Sequence, residues 1–170
     1  SNFTHHIGEL FGGGVIFYLY KDKNGEEHGL IVCLEDLSSG IGWSNLTEDE
    51  IGSTAKSTWN GHQNTTAITN QPGHFESAAQ VCEESTIGGQ TDWYLPSLDE
   101  LNLLYNVRYE VNRSLDSDND PNTLPLNYYD YYWSSTEAKN YSAWTKHFGI
   151  GYDNTNGKPW QYAVRAVRSF

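Results

Sequence analysis

The hydrophobic and polar positions near the start of the chain follow the pattern of two paired strands. Val15 to Tyr20 form an apolar, partly β-branched run, and a second apolar run extends from Gly29 to Leu34. Asn24-Gly25 lies between the runs, and this dipeptide is the strongest short signal for a tight hairpin turn. The pattern therefore predicts an opening β-hairpin.

Apolar residues recur at helical spacing twice in the middle of the chain. The first segment predicts a helix at about 74–86, with an apolar face that includes Cys82. The second predicts a helix over 97–107, where Ser97 and Glu100 stand at the spacing of a capping box. In that motif each side chain accepts a hydrogen bond from the backbone N–H of the other residue. Two helices are therefore expected.

The last third of the chain shows strand patterns separated by polar segments. Strands are predicted at 131–135, 143–148 and 162–168, and a turn is predicted at 153–157. Residues 37–73 and 108–130 are rich in small polar residues and are predicted to be long loops. Because a hairpin, two helices and three strands follow in that order, we expect an α+β fold with an antiparallel sheet. Its length suggests one domain over 1–170.

The charge of the chain excludes one class of partner. There are 22 acidic and 10 basic residues, which gives a formal net charge of −12. This charge repels nucleic acid, sulfated polysaccharides and anionic lipid headgroups. No apolar run reaches the ~18 residues of a membrane-spanning helix. We therefore expect neither nucleic-acid binding nor membrane insertion.

The two cysteines, Cys33 and Cys82, leave two alternatives open. Neither stands at a spacing typical of metal ligands. One alternative is a disulfide between a strand and a helix. The other is a pair of small buried hydrophobic side chains.

A ligand-facing edge is predicted just after the predicted strand 131–135. Glu137 and Asn140 could bind the hydroxyl groups of a sugar there, while Trp144 could stack on a sugar ring. The alternative is that Trp144 belongs to the hydrophobic core, as we expect for Trp93 and Trp133. This edge is the first candidate binding site.

A second polar edge is predicted at the following hairpin tip. Asp153, Asn154 and Asn156 lie close in sequence to Trp160, and together they could bind a small polar ligand. The alternative is that the three polar residues are ordinary turn formers. Tryptophans in polar loops, Trp43 among them, are expected to be exposed unless they pin a loop onto the body of the fold.

Alternating carboxylates in the polar segment 108–130 suggest a metal site. Asp116, Asp118 and Asp120 could converge with the amide of Asn122 on a hard, oxygen-ligated cation such as Ca²⁺. Pro121 stands where an EF-hand loop requires glycine, so the site would be irregular. The alternative is a solvated acidic loop with Asx turns.

The motifs of common enzyme classes are missing from the sequence. Gly12 to Gly14 are not followed by Lys-Ser or Lys-Thr, which a phosphate-binding loop requires. The sequence also lacks Gly-x-Ser-x-Gly and His-Glu-x-x-His. We therefore expect a protein that is not an enzyme.

Five segments carry a resemblance to a known family. They are Gly13–Tyr18, Ala78–Cys82, Asp92–Leu101, Tyr132–Glu137 and Arg165–Phe170. In them the chain resembles the C-terminal domain of the Legionella collagen-like adhesin. The resemblance implies a C-type-lectin-like fold with paired N- and C-terminal strands, and an extracellular adhesive role at the bacterial surface. The adhesin binds sulfated glycosaminoglycans through a basic surface, and the acidic charge of this chain does not support the same ligand.

Three functions are consistent with these patterns. The first is an extracellular recognition module that binds a glycan, or a protein or peptide epitope on another cell, with Ca²⁺ as a candidate cofactor. Its binding loops would be 108–130 and 137–160. The second is a structural or homo-oligomerisation domain of a surface protein. The third is an enzyme on a lectin-like scaffold.

Overall fold

The computed structural model describes residues 2–170 as a mixed α+β fold. The strands are β1 Leu10–Phe11, β2 Gly14–Lys21, β3 Glu27–Cys33, β4 Ser38–Ile41, β5 Tyr131–Lys139, β6 Ser142–His147, β7 Asp153–Gly157, β8 Tyr162–Val164 and β9 Val167–Ser169. The helices are α1 Gly61–Thr69, α2 Ala78–Glu83, α3 Leu98–Asn106 and α4 Arg108–Ser117.

The strands form two sheets. The first has the order β1-β2-β3-β9, and the second has the order β4-β8-β5-β6-β7. All pairings are antiparallel except the one between β5 and β8. The predicted hairpin is confirmed as β2 and β3, and the last strand pairs with β3. The chain therefore ends in the same sheet in which it begins.

Both faces of the opening hairpin are buried, which explains its continuous apolar runs. Val15 and Val32 pack in a core cluster with α3 and α4, whereas Ile16 and Ile31 pack in a second cluster with α1 and α2. A strand that is covered on both sides needs apolar residues at successive positions and cannot alternate with polar ones. The hairpin thus lies between the two cores.

The helices are only partly as predicted. The capping box of α3 is present, since Ser97 and Glu100 exchange hydrogen bonds with each other's backbone. The first predicted helix is shorter than 74–86 and corresponds to α2. Helix α1 lies inside the predicted loop 37–73, and α4 lies inside the predicted loop 108–130. The loop predictions were wrong at these two helices, because polar residues cover most of the surface of each.

The predicted strand 162–168 is divided between the two sheets. Its first part is β8 and its second part leads into β9, with Arg165 at the break. The Arg165 side chain is buried and donates to Asp36 at 3.0 Å and to the backbone oxygens of Cys33 and Leu124. A buried guanidinium needs such acceptors. The chain therefore passes from the second sheet to the first at Arg165, whose side chain points into the core.

Cys33 and Cys82 are both buried free thiols, so the alternative of two small hydrophobic side chains describes them. Trp93 and Trp133 are core residues, as predicted. Trp43 is also fully buried, which corrects the expectation of exposure, and its indole N–H donates to the backbone oxygen of Ser134 at 2.8 Å. Within residues 2–170, no helix has the length and apolar character needed to cross a membrane.

Candidate ligand-binding surface

Segment 49–59 contributes to three neighbouring cavities. Its first residues, between Asp49 and Thr54, face helix α1 across a cavity of about 810 Å³, here called the α1 cavity. Lys56 and Thr58 line a groove of about 440 Å³ with strands β5 to β7, here called the Trp144 groove. Trp59 lines a smaller cleft of about 280 Å³ with strands β2 and β3, here called the Trp59 cleft. Because surface loops held on a rigid frame commonly carry binding residues, this segment is the centre of the candidate site.

A buried ion pair holds the start of segment 49–59. The side chains of Glu137 and Lys158 are both fully buried, and Glu137 Oε2 lies 2.9 Å from Lys158 Nζ. Glu137 also accepts hydrogen bonds from the backbone N–H groups of Ile51 and Gly52 at 2.9–3.0 Å. Strand β5 therefore fixes the backbone of the segment directly.

The Lys158 ammonium has partners on several sides. Besides Glu137, it donates to the backbone oxygen of Asp49 at 2.9 Å and lies 5.0 Å from the centre of the Trp43 ring. A fully buried ammonium is tolerated only when its charge and its N–H groups are matched in this way. Lys158 therefore links the segment to the second core cluster.

The end of the segment is held at Ser57. Its backbone oxygen accepts from Thr136 Oγ1 at 2.9 Å and from Asn64 Nδ2 at 2.7 Å. The next residue, Thr58, accepts from the backbone N–H of Asp99 at 2.8 Å. Both ends of the segment are thus fixed, and its exposed side chains are presented at defined positions.

The Trp144 groove combines an indole ring with hydroxyl groups. Trp144 is half-buried on β6 and pairs across the sheet with Thr155. The hydroxyl-bearing residues that line the groove are Thr58, Thr136, Tyr141, Ser142 and Thr155. Lys56 and Lys139 supply ammonium groups at its edge. The groove therefore offers one apolar surface with several hydrogen-bonding groups around it.

The residues of the first predicted edge lie in or beside the Trp144 groove. Glu137 lines the groove but is only 2% exposed, and its carboxylate holds segment 49–59. Its charge is satisfied by Lys158 inside the fold. Trp144 lies in the groove, and Asn140 lies nearby and donates to the backbone oxygen of Glu48 at 3.3 Å. Of the three, Trp144 is best placed to touch a ligand.

The second predicted edge is a strand and not a hairpin tip. Asp153, Asn154 and Asn156 belong to β7, and their strand character corrects the predicted turn. Asp153 pairs with Lys146 at 3.0 Å. Asn154 and Asn156 donate to Tyr131 and Thr145, respectively.

Trp160 lies beside the Trp144 groove. Its side chain is exposed, and a Cβ atom added to Gly157 would come within 3.0 Å of Trp160 Cδ1. Gly157 itself lines the groove. Trp160 is therefore close to the same surface as Trp144.

The predicted calcium ligands form local hydrogen bonds. Asp116 lies in α4, and Asp118 Oδ1 accepts from the N–H of Asp120 at 2.9 Å. Asp120 Oδ1 in turn accepts from the N–H of Asn122 at 2.9 Å. These are the Asx turns of the alternative interpretation, and Ca²⁺ binding here remains a prediction.

Another group of metal-binding side chain types lies on the opening hairpin. Across residues 2–170, Asp22, Glu26 and His28 are the one set of at least three whose ligand atoms lie within 4.8 Å of one another. The imidazole of His28 contacts the backbone oxygen of Phe170 at 3.3 Å. These side chains are partly exposed. Exposed acidic groups commonly lie this close together without binding a metal ion.

The importance of segment 49–59 was missed from the sequence. Its polar composition indicates a loop but not which side chains fix that loop. One signal was available, because Asn60 precedes α1 and accepts from the N–H of Gln63 as a helix N-cap. A helix start at this point limits the preceding segment to a short, constrained connection.

Comparison with known proteins identifies the family. A family model described as Lcl C-terminal domain matches residues 32–168. The chain belongs to this family. The match includes β4 to β8, all four helices and segment 49–59, so the candidate surface lies within the Lcl C-terminal domain apart from the residues that β2 and β3 contribute to the Trp59 cleft. The resemblance noted in the sequence is thereby confirmed.

A solved structure shares the fold. The chain is similar to a fimbrial protein from Bacteroides ovatus ATCC 8483, with a TM-score of 0.68 and 17% sequence identity. The similarity covers 91% of this chain and 43% of the fimbrial protein's chain. A search of curated proteins finds no match. At this identity the comparison establishes similarity of fold and nothing about ligands.

Proposed function

We propose that this Lcl C-terminal domain is an extracellular, non-catalytic recognition module of a bacterial surface protein, and that it binds a glycan in the Trp144 groove. The proposal includes a C-type-lectin-like arrangement, supported by the pairing of the last strand with β3 and by long connections between the helices and strands. Family membership supports the adhesive role. The geometry of the groove supports the ligand class.

The main support is the position of Trp144 among hydroxyl groups. The apolar face of a sugar stacks on an indole ring, while its hydroxyl groups need donors and acceptors around the ring. Thr58 and Thr155 are exposed residues that line the groove, and Tyr141 is 49% exposed. The groove thus has both elements of a sugar-binding site on one surface.

The charges around the groove favour a neutral or weakly acidic sugar. Glu137 is neutralised by Lys158, and Lys56 forms an ion pair with Glu50. Lys139 remains at the surface, 6.0 Å from the centre of the Tyr141 ring. A densely sulfated chain would meet one such cation against the net charge of −12. The expected ligand therefore carries few or no negative charges.

A glycan array followed by titration of the strongest ligand tests this proposal. We expect Trp144→Ala to abolish measurable binding, because the stacking surface is lost, and Thr155→Val to weaken it. Trp59→Ala removes an exposed tryptophan outside the groove and serves as the matched control, with binding unchanged. Equal binding by Trp144→Ala and the wild type would refute the groove as the site. Self-association without glycan binding would favour the oligomerisation function.

A further inference from the structure

The Trp59 cleft has the walls of an aromatic cage. Tyr18, Tyr20, Leu30, Trp59 and Glu100 line it. The rings of Tyr18 and Trp59 are nearly perpendicular, at 87° with centroids 6.4 Å apart, and Tyr20 lies 5.8 Å from Tyr18. Trp59 and Tyr20 are 55% and 45% exposed, so a ligand can reach their faces. Aromatic faces carry a negative partial charge that attracts cations.

Glu100 is the charged residue that lines the cleft. Its side chain is 4% exposed, and Oε1 accepts from the backbone N–H groups of Ser97 and Gly61 at 3.0 and 2.9 Å. Oε2 accepts from the Tyr94 hydroxyl at 2.5 Å. All of these donors are neutral. The negative charge of Glu100 therefore has no cationic partner among the residues that the structure describes.

Tyr94 keeps its proton at ordinary pH and donates to Glu100. Burial, together with the neighbouring Glu100 charge, raises the pKa of the Tyr94 hydroxyl far above its usual value. The hydroxyl consequently remains a donor to the carboxylate. The cleft thus has aromatic walls and one lining carboxylate, that of Glu100, which has no cationic partner among the described residues.

We propose that the Trp59 cleft binds a quaternary ammonium group of the choline type. The aromatic faces and Glu100 attract a positive charge. The oxygens of Glu100 already accept hydrogen bonds, so a primary ammonium that leaves water would lack acceptors for some of its N–H groups. A trimethylammonium group has no N–H groups to satisfy and presents methyl groups to the aromatic rings.

The site is separate from the proposed glycan site. Trp59 and Trp144 line different cavities, and the two cavities have no lining residue in common. No lining residue of the Trp59 cleft carries a positive charge, in contrast to the two lysines of the Trp144 groove. The domain would therefore recognise two chemically different groups at two separate sites.

Proton–nitrogen NMR titrations of the folded chain test the inference. With choline chloride as the probe, we expect saturable shifts of the Trp59 indole signal, assigned with Trp59→Phe. Dimethylbutanol, in which carbon replaces the quaternary nitrogen, should produce much smaller shifts. Phosphocholine and phosphatidylcholine vesicles then distinguish a free ligand from a lipid headgroup. Equal binding of choline and dimethylbutanol, or no saturable shift with choline, would overturn the proposal.

Variants separate this site from the groove. Tyr20→Ala removes an exposed wall, and Glu100→Gln removes the charge; each should lower the affinity for choline about tenfold or more. Glu100 belongs to the capping box of helix α3, so its replacement also affects folding. If Glu100→Gln does not fold, Tyr20→Ala still tests the proposal. Trp144→Ala should bind choline as the wild type does, whatever happens to glycan binding. Loss of choline binding in Trp144→Ala but not in Tyr20→Ala would place the ligand elsewhere.

Discussion

Glu137 and Lys158 form a fully buried ion pair that connects strand β5 to the wall of two cavities. The Oε2 to Nζ distance is 2.9 Å, and both charged groups have further partners in the backbone of residues 49–52. Glu137, which the sequence suggests as a ligand contact, therefore also positions segment 49–59. Its effect on binding would be indirect, through the shape of segment 49–59.

Removing one charge of this pair should be strongly destabilising. We expect Lys158→Met to lower the free energy of unfolding by about 3–5 kcal/mol, because Glu137 would remain buried without its cation. Urea denaturation measures the change. The control is Lys56→Met, which removes an exposed ion pair with Glu50 and should change the free energy of unfolding far less, because solvent screens the pair. Similar losses of unfolding free energy in both variants would show that burial of the Glu137–Lys158 pair does not increase the cost of removing one charge.

A second pair predicts a pH dependence of stability. Arg168 Nε and Nη2 donate to the two carboxylate oxygens of Asp92 at 2.6 and 3.0 Å. The hydrogen bond from Arg168 lowers the pKa of Asp92 in the folded protein. A lowered pKa contributes stability that is fully present above the usual aspartate value of about 3.9 and is lost as the pH falls through the folded value.

Asp92→Asn tests this dependence. We expect the wild type to exceed the variant in unfolding free energy at neutral pH, and the difference to shrink as the pH falls below about 4. Chemical denaturation over a pH series measures both proteins. A difference that stays constant into acid would show that the ionised carboxylate of Asp92 does not contribute through Arg168.

The thiols should be unreactive in the folded protein. Burial raises the pKa of Cys33, and it raises the pKa of Cys82 well above the ordinary value. Since the thiolate is the reactive form, a disulfide reagent such as Ellman's reagent should modify neither thiol before unfolding. Rapid modification of two thiols in native buffer, followed by mass spectrometry, would contradict this expectation.

Ca²⁺ binding at the acidic segment can be distinguished from its hydrogen bonds. Asp118 accepts from Asp120 and from the Thr123 hydroxyl, the latter at 2.7 Å. If the segment binds Ca²⁺, as its sequence predicts, Asp118→Ala should lower the melting temperature only when Ca²⁺ is present. An equal decrease in melting temperature in the presence of a chelator would contradict Ca²⁺ binding. Asp118 would then stabilise the fold through its hydrogen bonds alone.

Much of the frame could be predicted because its signals are local. The Asn24-Gly25 turn lies between two apolar runs, and the Ser97-Glu100 spacing begins a helix, so neither depends on distant residues. The confirmed family resemblance also rests on continuous segments. Local patterns of this kind are sufficient to identify an element's type, although its ends depend on tertiary contacts.

The candidate surface could not be predicted because it depends on long-range pairings. Glu137 and Ile51 are far apart in sequence but hydrogen-bonded, and no local pattern relates them. Likewise, Trp43 is in a polar segment, yet it packs in the second core cluster, where its indole N–H donates to the backbone oxygen of Ser134. Helix α1 gives no hydrophobic pattern, because Ile68 is the one large apolar side chain among its buried residues.

The most direct test of the recognition surface is hydrogen–deuterium exchange with and without the glycan selected on the array. We expect slower exchange on binding in segment 49–59 and in strands β6 and β7, with little change in residues 118–130. Slower exchange confined to residues 118–130, or no change in segment 49–59, would contradict the proposed recognition surface.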